Sequence, residues 1–437
     1  MISRTIPHYD SPHQFEPLLP EDRFLGPLLE RASDLTRAAT ALTSTGAAQG
    51  DLRALLRAMN SFYTNKLEGE HTRPIEIERA LQQDFSANAD VARRQRLAIA
   101  HIHTEERCEQ ALDEQVQAKQ EVVRALYGAD QLKWLHRELF NGLAEKDLHL
   151  ADGTPLVPGE FRNRQVAVGR HEPPVASALD AFVVRWSEAY GCARRGELSL
   201  VAAAASHHRL AWIHPFLDGN GRVARLHTHL LLHAMGLTKG LWSPLRAFAR
   251  SEDRYKAFLQ AADEHRCGDL DGRGNLTTQG LIDWIDYALE VWIDQVQFMT
   301  GQLDLNGMQE RIQAALTFDA HTRQSGIRLE ALRPLHYLFV TQSDMPRADF
   351  KAMTGLGERT ATELVSSLLR NGYVGSDSPY GKLRFAVPRH ALRFYFPSLW
   401  PEAERDPDML QPAAASPVAT ATPDGAKPGT RVGRSRR

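Results

Sequence analysis

His214-Pro215-Phe216-Leu217-Asp218-Gly219-Asn220-Gly221-Arg222-Val223-Ala224-Arg225 is the stretch whose reading decides the fold. Gly219 and Gly221, two apart, let the backbone bend sharply and approach a ligand closely. A helix beginning near Arg222 turns its positive end and free N–H groups toward that loop, which makes an anion cradle suited to phosphates. Arg222 and Arg225 are three residues apart and share a helical face, adding two forked donors for phosphate oxygens. Asp218 is a hard oxygen ligand suited to Mg2+ carried by a nucleotide. His214 titrates near neutral pH and can deprotonate a hydroxyl. Asn220 can donate to a phosphate oxygen or stabilise developing charge.

Other readings of the same glycines fare less well. Gly219-Asn220-Gly221-Arg222-Val223-Ala224 fits a GxGxxG/A dinucleotide pattern, but that pattern needs a preceding strand in a βαβ unit. Here Ala202 to Ile213 has helical texture, and no second unit follows. A Walker GxxxxGK[ST] string is absent. A plain Asp-Gly-Asn-Gly turn would explain the glycines but would leave His214 and both arginines as coincidence.

The twelve residues resemble the Fic signature, His-Pro-Phe-x-Asp/Glu-Gly-Asn-Gly-Arg-x-x-Arg, at every fixed position. The resemblance extends outward over roughly residues 60–300. Pro158-Gly159-Glu160-Phe161-Arg162 through Val168, with His171-Glu172-Pro173-Pro174, is similar to the β-hairpin flap of Fic proteins. Leu135-His136, the approach from His207 to Ile213, and Arg254-Tyr255 through Gly268-Asp269 are also similar. The resemblance implies a helical Fic core transferring AMP from ATP, with Mg2+, to a Ser, Thr or Tyr hydroxyl of a target protein. His214 would be the general base and Asp218 would hold the metal. Gly219, Asn220, Gly221 and Arg222 would form the phosphate site, with Arg225 at the γ-phosphate. The flap around Val166, Ala167 and Val168 would pair with target backbone.

Upstream, Thr64-Asn65-Lys66-Leu67-Glu68-Gly69 resembles the inhibitory motif Ser/Thr-x-x-x-Glu-Gly/Asn of that family. It implies that Glu68 pairs with Arg225 and takes the donor that the γ-phosphate needs. Rival readings keep the scaffold and change the reaction, to removal of AMP or transfer of another phosphate-linked group. A further rival is a DNA-binding regulator whose core acts mainly on itself. Self-modification and a homodimer are both compatible with the resemblance.

Around this centre, apolar residues recur at helical spacing from Leu25 to Asn60, broken at Gly46 to Gly50. Helical texture also marks Asp90 to Ala118, Gln131 to Leu143, Ala176 to Tyr190, Leu198 to Ile213, Val223 to Met235, Glu252 to His265 and Thr278 to Leu303. Gln165 to Val168 alternates like a short strand. Residues 1 to about 25 read as an extended arm. Beyond 327, Leu329 to Val340, Ala348 to Thr354 and Glu358 to Arg370 read as helices, and Gly372 ends the last. Tyr373-Val374 and Leu383-Phe385 flank a turn, completing a winged-helix order. Residues 327–400 hold ten Lys+Arg against six Asp+Glu. That excess is compatible with DNA, protein or intramolecular contacts. The Pro- and Ala-rich residues 404–437 are expected to be disordered.

The expected architecture is therefore mainly α. An N-terminal helical segment (1–90) carries the inhibitory motif and precedes a Fic core with a short β-hairpin flap (91–305). A winged-helix α+β domain (327–400) and a tail (404–437) follow. Two decoys are set aside. Asp269 to Asn275 hints at a calcium loop, but Arg273 and Gly280 stand where ligands are needed. His227, His229 and His233 lack the Glu of HExxH and read as ordinary core or surface histidines.

The 437 residues carry 52 Lys+Arg against 54 Asp+Glu, which excludes a nucleic-acid coat protein. Three scattered cysteines, Cys108, Cys192 and Cys267, suit a reducing compartment. Met1 to Phe15 lacks the apolar run of a signal peptide, and no stretch approaches 18 apolar residues. A cytoplasmic protein with no membrane contact is the expectation.

Overall fold

A computed structural model describes residues 9–43, 50–114, 119–150, 152–192, 194, 196–323 and 325–407. The chain is built from helices. In order these are α1 (Asp22–Thr43), α2 (Gly50–Leu67), α3 (Pro74–Leu81), α4 (Ala89–Glu114), α5 (Lys119–Leu126) and α6 (Ala129–Leu139). After a long irregular segment come α7 (Leu179–Gly191), α8 (Glu197–Ile213), α9 (Asn220–Ala234), α10 (Pro244–Arg250), α11 (Glu252–Ala262) and α12 (Thr278–Gln302). Then follow α13 (Leu305–Thr322), α14 (Leu332–Thr341), α15 (Arg347–Thr354) and α16 (Glu358–Arg370). A two-stranded sheet, β1 (Val374–Gly375) with β2 (Arg384–Phe385), precedes α17 (Leu392–Tyr395) and α18 (Pro401–Arg405).

Helix α8 is the axis of the molecule. It is buried almost all round, as a helix without a polar face must be. Its run Ala202-Ala203-Ala204-Ala205 lets neighbours approach closely, and α1, α7, α9 and α12 pack around it. Trp186 donates to the Ser206 carbonyl at 3.0 Å and Trp284 to the Ala204 carbonyl at 2.7 Å, so both indoles are satisfied inside the core.

Four expectations need correction. The N-terminal segment is not a separate unit. Helix α1 lays Leu28, Ala32, Leu35 and Ala39 against α12 and α8, while α2 packs on α4, α9 and α10. The arm that precedes α1 is docked as well. Phe15 is fully buried, and Arg209 donates to the Pro17 carbonyl at 2.7 and 3.1 Å. Its first eight residues lie outside the described ones.

The expected flap strand is reduced to one bridge, Val168 with His171, around a Gly169-Arg170 turn. Val166 and Ala167 enter no ladder, because no second strand lies beside them. Helix α13 was not expected. Asp304 caps its start by accepting from the Gly307 amide at 2.7 Å. Met308, Ile312, Ala315 and Leu316 then pack toward α14 and α17.

The C-terminal region shows the expected helix–turn–helix–hairpin order, with Met345 bridging to Leu383 beside the hairpin. Asp319 of α13 is buried, accepting from the Tyr373 hydroxyl at 3.0 Å and pairing with His390 at 2.7 Å. The tail is ordered further than expected. Helix α18 reaches Arg405, and Asp406 is buried and accepts from Arg73 at 2.5 Å. Residues 408–437, the rest of the expected disordered tail, lie outside the described residues.

Candidate active site

The catalytic-type loop joins the two most buried helices. Helix α8 ends at His214, which adopts left-handed backbone angles of φ 49° and ψ 61° despite its Cβ. That strain reverses the chain at the end of α8 and presents the imidazole beside the loop. Gly219, at φ 76°, makes the second reversal and leads into α9. A Cβ there would lie 2.8 Å from the Phe140 ring, so only glycine fits. The first-turn amides of α9 lack intrahelical acceptors, as at every helix start.

Asn220 differs from its expected role. Its Oδ1 accepts from the Phe216 amide and its Nδ2 donates to the Phe216 carbonyl, both at 2.8 Å. The side chain shapes the loop, and its backbone amide is left for an anion. Asp218 accepts from the Gly219 amide at 2.6 Å and from Arg222 at 3.2 Å, with its side chain 39% exposed. Arg222 is buried across the Phe140 ring, 4.8 Å from its centre. Its Nε and Nη1 have no hydrogen-bond partner, an arrangement suited to an incoming anion. A single half-exposed carboxylate beside this cradle fits a hard cation that arrives with phosphates.

Arg225 is the best-satisfied group. It donates Nε to Thr64 Oγ1 at 2.8 Å, and Nη2 to the Thr64 carbonyl at 3.1 Å and Glu68 Oε1 at 2.5 Å. Glu68 overhangs the glycines: a Cβ on Gly221 would lie 2.3 Å from its Oε1. Burial pushes the Glu68 carboxyl up, but the guanidiniums of Arg225 and Arg222 outweigh it and hold the pKa below 4.5. Burial lowers the His214 pKa to about 4, so the imidazole is neutral and able to accept a proton at neutral pH.

Several residues that the sequence reading left without a role complete the site. Gly159 donates its amide to His136 Nδ1 at 2.8 Å, and His136 Nε2 meets the Asp218 carbonyl at 3.1 Å. These two contacts set its tautomer, and its ring stacks on Phe216 at 4.0 Å. Arg162 donates to the carbonyls of His214 (2.9 Å), Arg164 (3.0 Å) and Pro174 (2.5 Å), tying the flap to the loop. The His171 ring meets the Trp212 carbonyl at 2.8 Å. Val168 on this flap is 41% exposed. Only their place in the strings Leu135-His136, Pro158 to Arg162 and His171 to Pro174 hinted at them; most of the groups they bind come from distant segments.

The structure thus brings Glu68, His214, Asp218, Gly219, Asn220, Gly221, Arg222 and Arg225 together, with Val166 to Val168 on the adjoining flap. Such a loop and helix start, lined by buried guanidiniums, are suited to an anion. Residues 127–232 match the model of the Fic/DOC family. Proteins named "Protein adenylyltransferase Fic" from Drosophila willistoni and Drosophila yakuba are each 36% identical over 117 residues. That span is 26% of this chain and 22% of theirs, about a fifth of the length of these relatives. Among solved structures, a Fic family protein from Desulfovibrio desulfuricans G20 is similar at 15% identity and TM-score 0.49, covering 86% of this chain and 98% of that one. Fic-1 of C. elegans is similar at 17% identity and TM-score 0.45, covering 63% and 73%. Among the described residues, no helix is long and apolar enough to cross a membrane.

Proposed function

We propose that the chain is a protein adenylyltransferase that moves AMP from ATP to a hydroxyl side chain of a target protein, held in check by Glu68. The observation that carries this reading is the Glu68 carboxylate lying on Arg225 above Gly221, in the space a terminal phosphate would need.

In the released state, Arg225 and Arg222 hold phosphate oxygens, and the amides at the start of α9 hold the rest. Asp218 would hold Mg2+, which would neutralise phosphate charge there. Neutral His214 takes the proton of the target hydroxyl. The hydroxyl oxygen then bonds to the α-phosphorus as the bond to pyrophosphate breaks. The exposed backbone of Val166 to Val168 supports docking of an extended target segment. A flap pinned by Arg162 keeps that segment beside His214. The target, self-modification, a homodimer and DNA contacts through residues 327–400 belong to this proposal as extensions.

Incubation of wild type, Glu68→Gly and His214→Ala with labelled ATP and Mg2+, read by intact mass, tests the reading. An added AMP mass, raised by Glu68→Gly and absent in His214→Ala, is expected. Equal incorporation in wild type and Glu68→Gly removes the brake. An increment other than AMP replaces the reaction with another phosphate-linked transfer.

A further inference from the structure

Behind the phosphate cradle, α4 and α9 share a second cluster of titratable groups that the reaction does not use. Helix α4 places Glu105, Glu109 and Asp113 on one stripe, and α9 faces them with His229 and His233. His227, the third histidine of that run, behaves as the sequence suggested: it meets the Leu126 carbonyl at 3.0 Å in the core. The other two do not. His229 Nε2 lies 2.9 Å from Glu109 Oε1 and 3.6 Å from Glu105 Oε1. His233 Nδ1 lies 3.9 Å from Glu109 Oε1. The ligand atoms of Glu109, His229 and His233 fall within 4.8 Å of one another, and all three residues are buried.

We propose that Glu105, Glu109, His229 and His233 form a tetrahedral binding site for a divalent transition-metal ion, Zn2+ foremost. Ligand bonds of about 2.0–2.2 Å place ligand atoms about 3.3–3.6 Å apart. The His229–Glu109, His229–Glu105 and His233–Glu109 pairs, at 2.9, 3.6 and 3.9 Å, bracket that spacing; Glu109, His229 and His233 already converge, and Glu105 completes the shell by turning in from beside His229. The supporting contacts match what such sites use. His233 turns its other nitrogen to Asp113 at 2.9 Å, a carboxylate–histidine pair that raises the basicity of the ligand. Arg57 holds the far oxygen of Glu109 at 2.8 and 2.9 Å, and Asn60 holds Glu105 at 2.7 Å. Glu105 Oε2 is buried with no hydrogen-bond partner, as are both nitrogens of the adjacent His101. The Thr238 hydroxyl, 2.8 Å from His233 Nδ1, yields by rotation about one bond. Asp113, 46% exposed at the end of α4, marks the way in from solvent.

Charge points the same way. Arg53 and Arg57 face Glu105, Glu106, Glu109 and Asp113, leaving two negative charges uncompensated. Two protons or one divalent cation fill that deficit. Because a metal binds deprotonated imidazole and carboxylate, its uptake should release protons. His229 is one helical turn beyond Arg225, so the ion would tie α4 to the helix that carries the cradle.

The full chain, stripped with chelator, is titrated with Zn2+ and Co2+ by calorimetry in two buffers of different ionisation enthalpy and by absorption. One equivalent bound with proton release, and visible Co2+ bands of a tetrahedral site without thiolate charge transfer, is expected. Asp218→Ala should leave this binding unchanged, and the double variant His229→Gln/His233→Gln should weaken it about 100-fold or more. No uptake by folded wild type, with a thermal midpoint indifferent to metal and chelator, overturns the site in favour of a proton-filled network. Undiminished uptake by the double variant overturns it too. If that variant does not fold, the wild-type Co2+ spectrum decides, and octahedral or thiolate-bearing bands refute the site.

Discussion

Glu68 and Arg225 stand 157 residues apart in the chain and 2.5 Å apart in the fold. The contact joins the last turn of α2 to the first turns of α9. It is reinforced by Thr64, one turn before Glu68, whose hydroxyl and carbonyl both accept from the same guanidinium. The pair therefore works as a latch between two helices as well as a cover over Gly221.

The latch should weaken in acid. Glu68 has a lower pKa folded than unfolded, so the unfolded chain binds more protons. Its stabilisation is present above pH 4.5 and is lost as pH falls through the folded value. In thermal melts, wild type should exceed Glu68→Gln at neutral pH, and the gap should narrow as pH falls below 4.5. A gap independent of pH would show that the charge of Glu68 contributes nothing.

His214→Ala should lower AMP incorporation by about 100-fold or more, as loss of a general base does. With a pKa near 4, His214 is deprotonated throughout the neutral range. The rate in a Glu68→Gly background should then be flat from about pH 6 to 8, falling only in acid. A rate that rises through the ordinary histidine pKa of about 6.5 would contradict that assignment.

The C-terminal end braces the latch helix. Trp400 packs edge-on against Phe62 at 5.6 Å, and Tyr63 of α2 donates to Glu402 at 2.8 Å. Arg246 donates to the Ser398 and Leu399 carbonyls at 2.8 and 3.0 Å. Trp400→Ala should cost about 3–5 kcal/mol by chemical denaturation. Tyr63→Phe should cost about 1 kcal/mol. Both should raise basal AMP incorporation by loosening α2, and unchanged incorporation would show that the brace and the latch are independent.

Asn220→Ala should stop the reaction by unshaping the loop. Phe216 would lose the partners of its amide and carbonyl, at a cost of about 1–3 kcal/mol. The variant should melt slightly earlier and lose AMP incorporation. Full activity would mean that the glycines hold the loop unaided.

Much of the site was legible because it is local. His214 to Arg225 is one loop and one helix start, so twelve consecutive residues specify its shape. Glu68 was legible through its motif. The flap strand misled because alternation at Gln165 to Val168 says nothing about whether a partner strand exists, and none pairs with it here. Asn220 misled because its amide looks free until the Phe216 backbone is placed around it. Helix α13 lies between Leu303 and residue 327, where the sequence reading assigned no element; the Asp304 cap starts it.

By itself the sequence determined the helical class, the phosphate-type loop and the residue types poised for chemistry, since periodicity, glycine spacing and side-chain charge act over a few residues. Only the tertiary structure decided which distant groups meet. It set Glu68 on Arg225, folded α18 back against α2, and brought the carboxylates of α4 to the histidines of α9. Burial then set the protonation of those groups, because desolvation and paired charge exist only once the chain has closed around them.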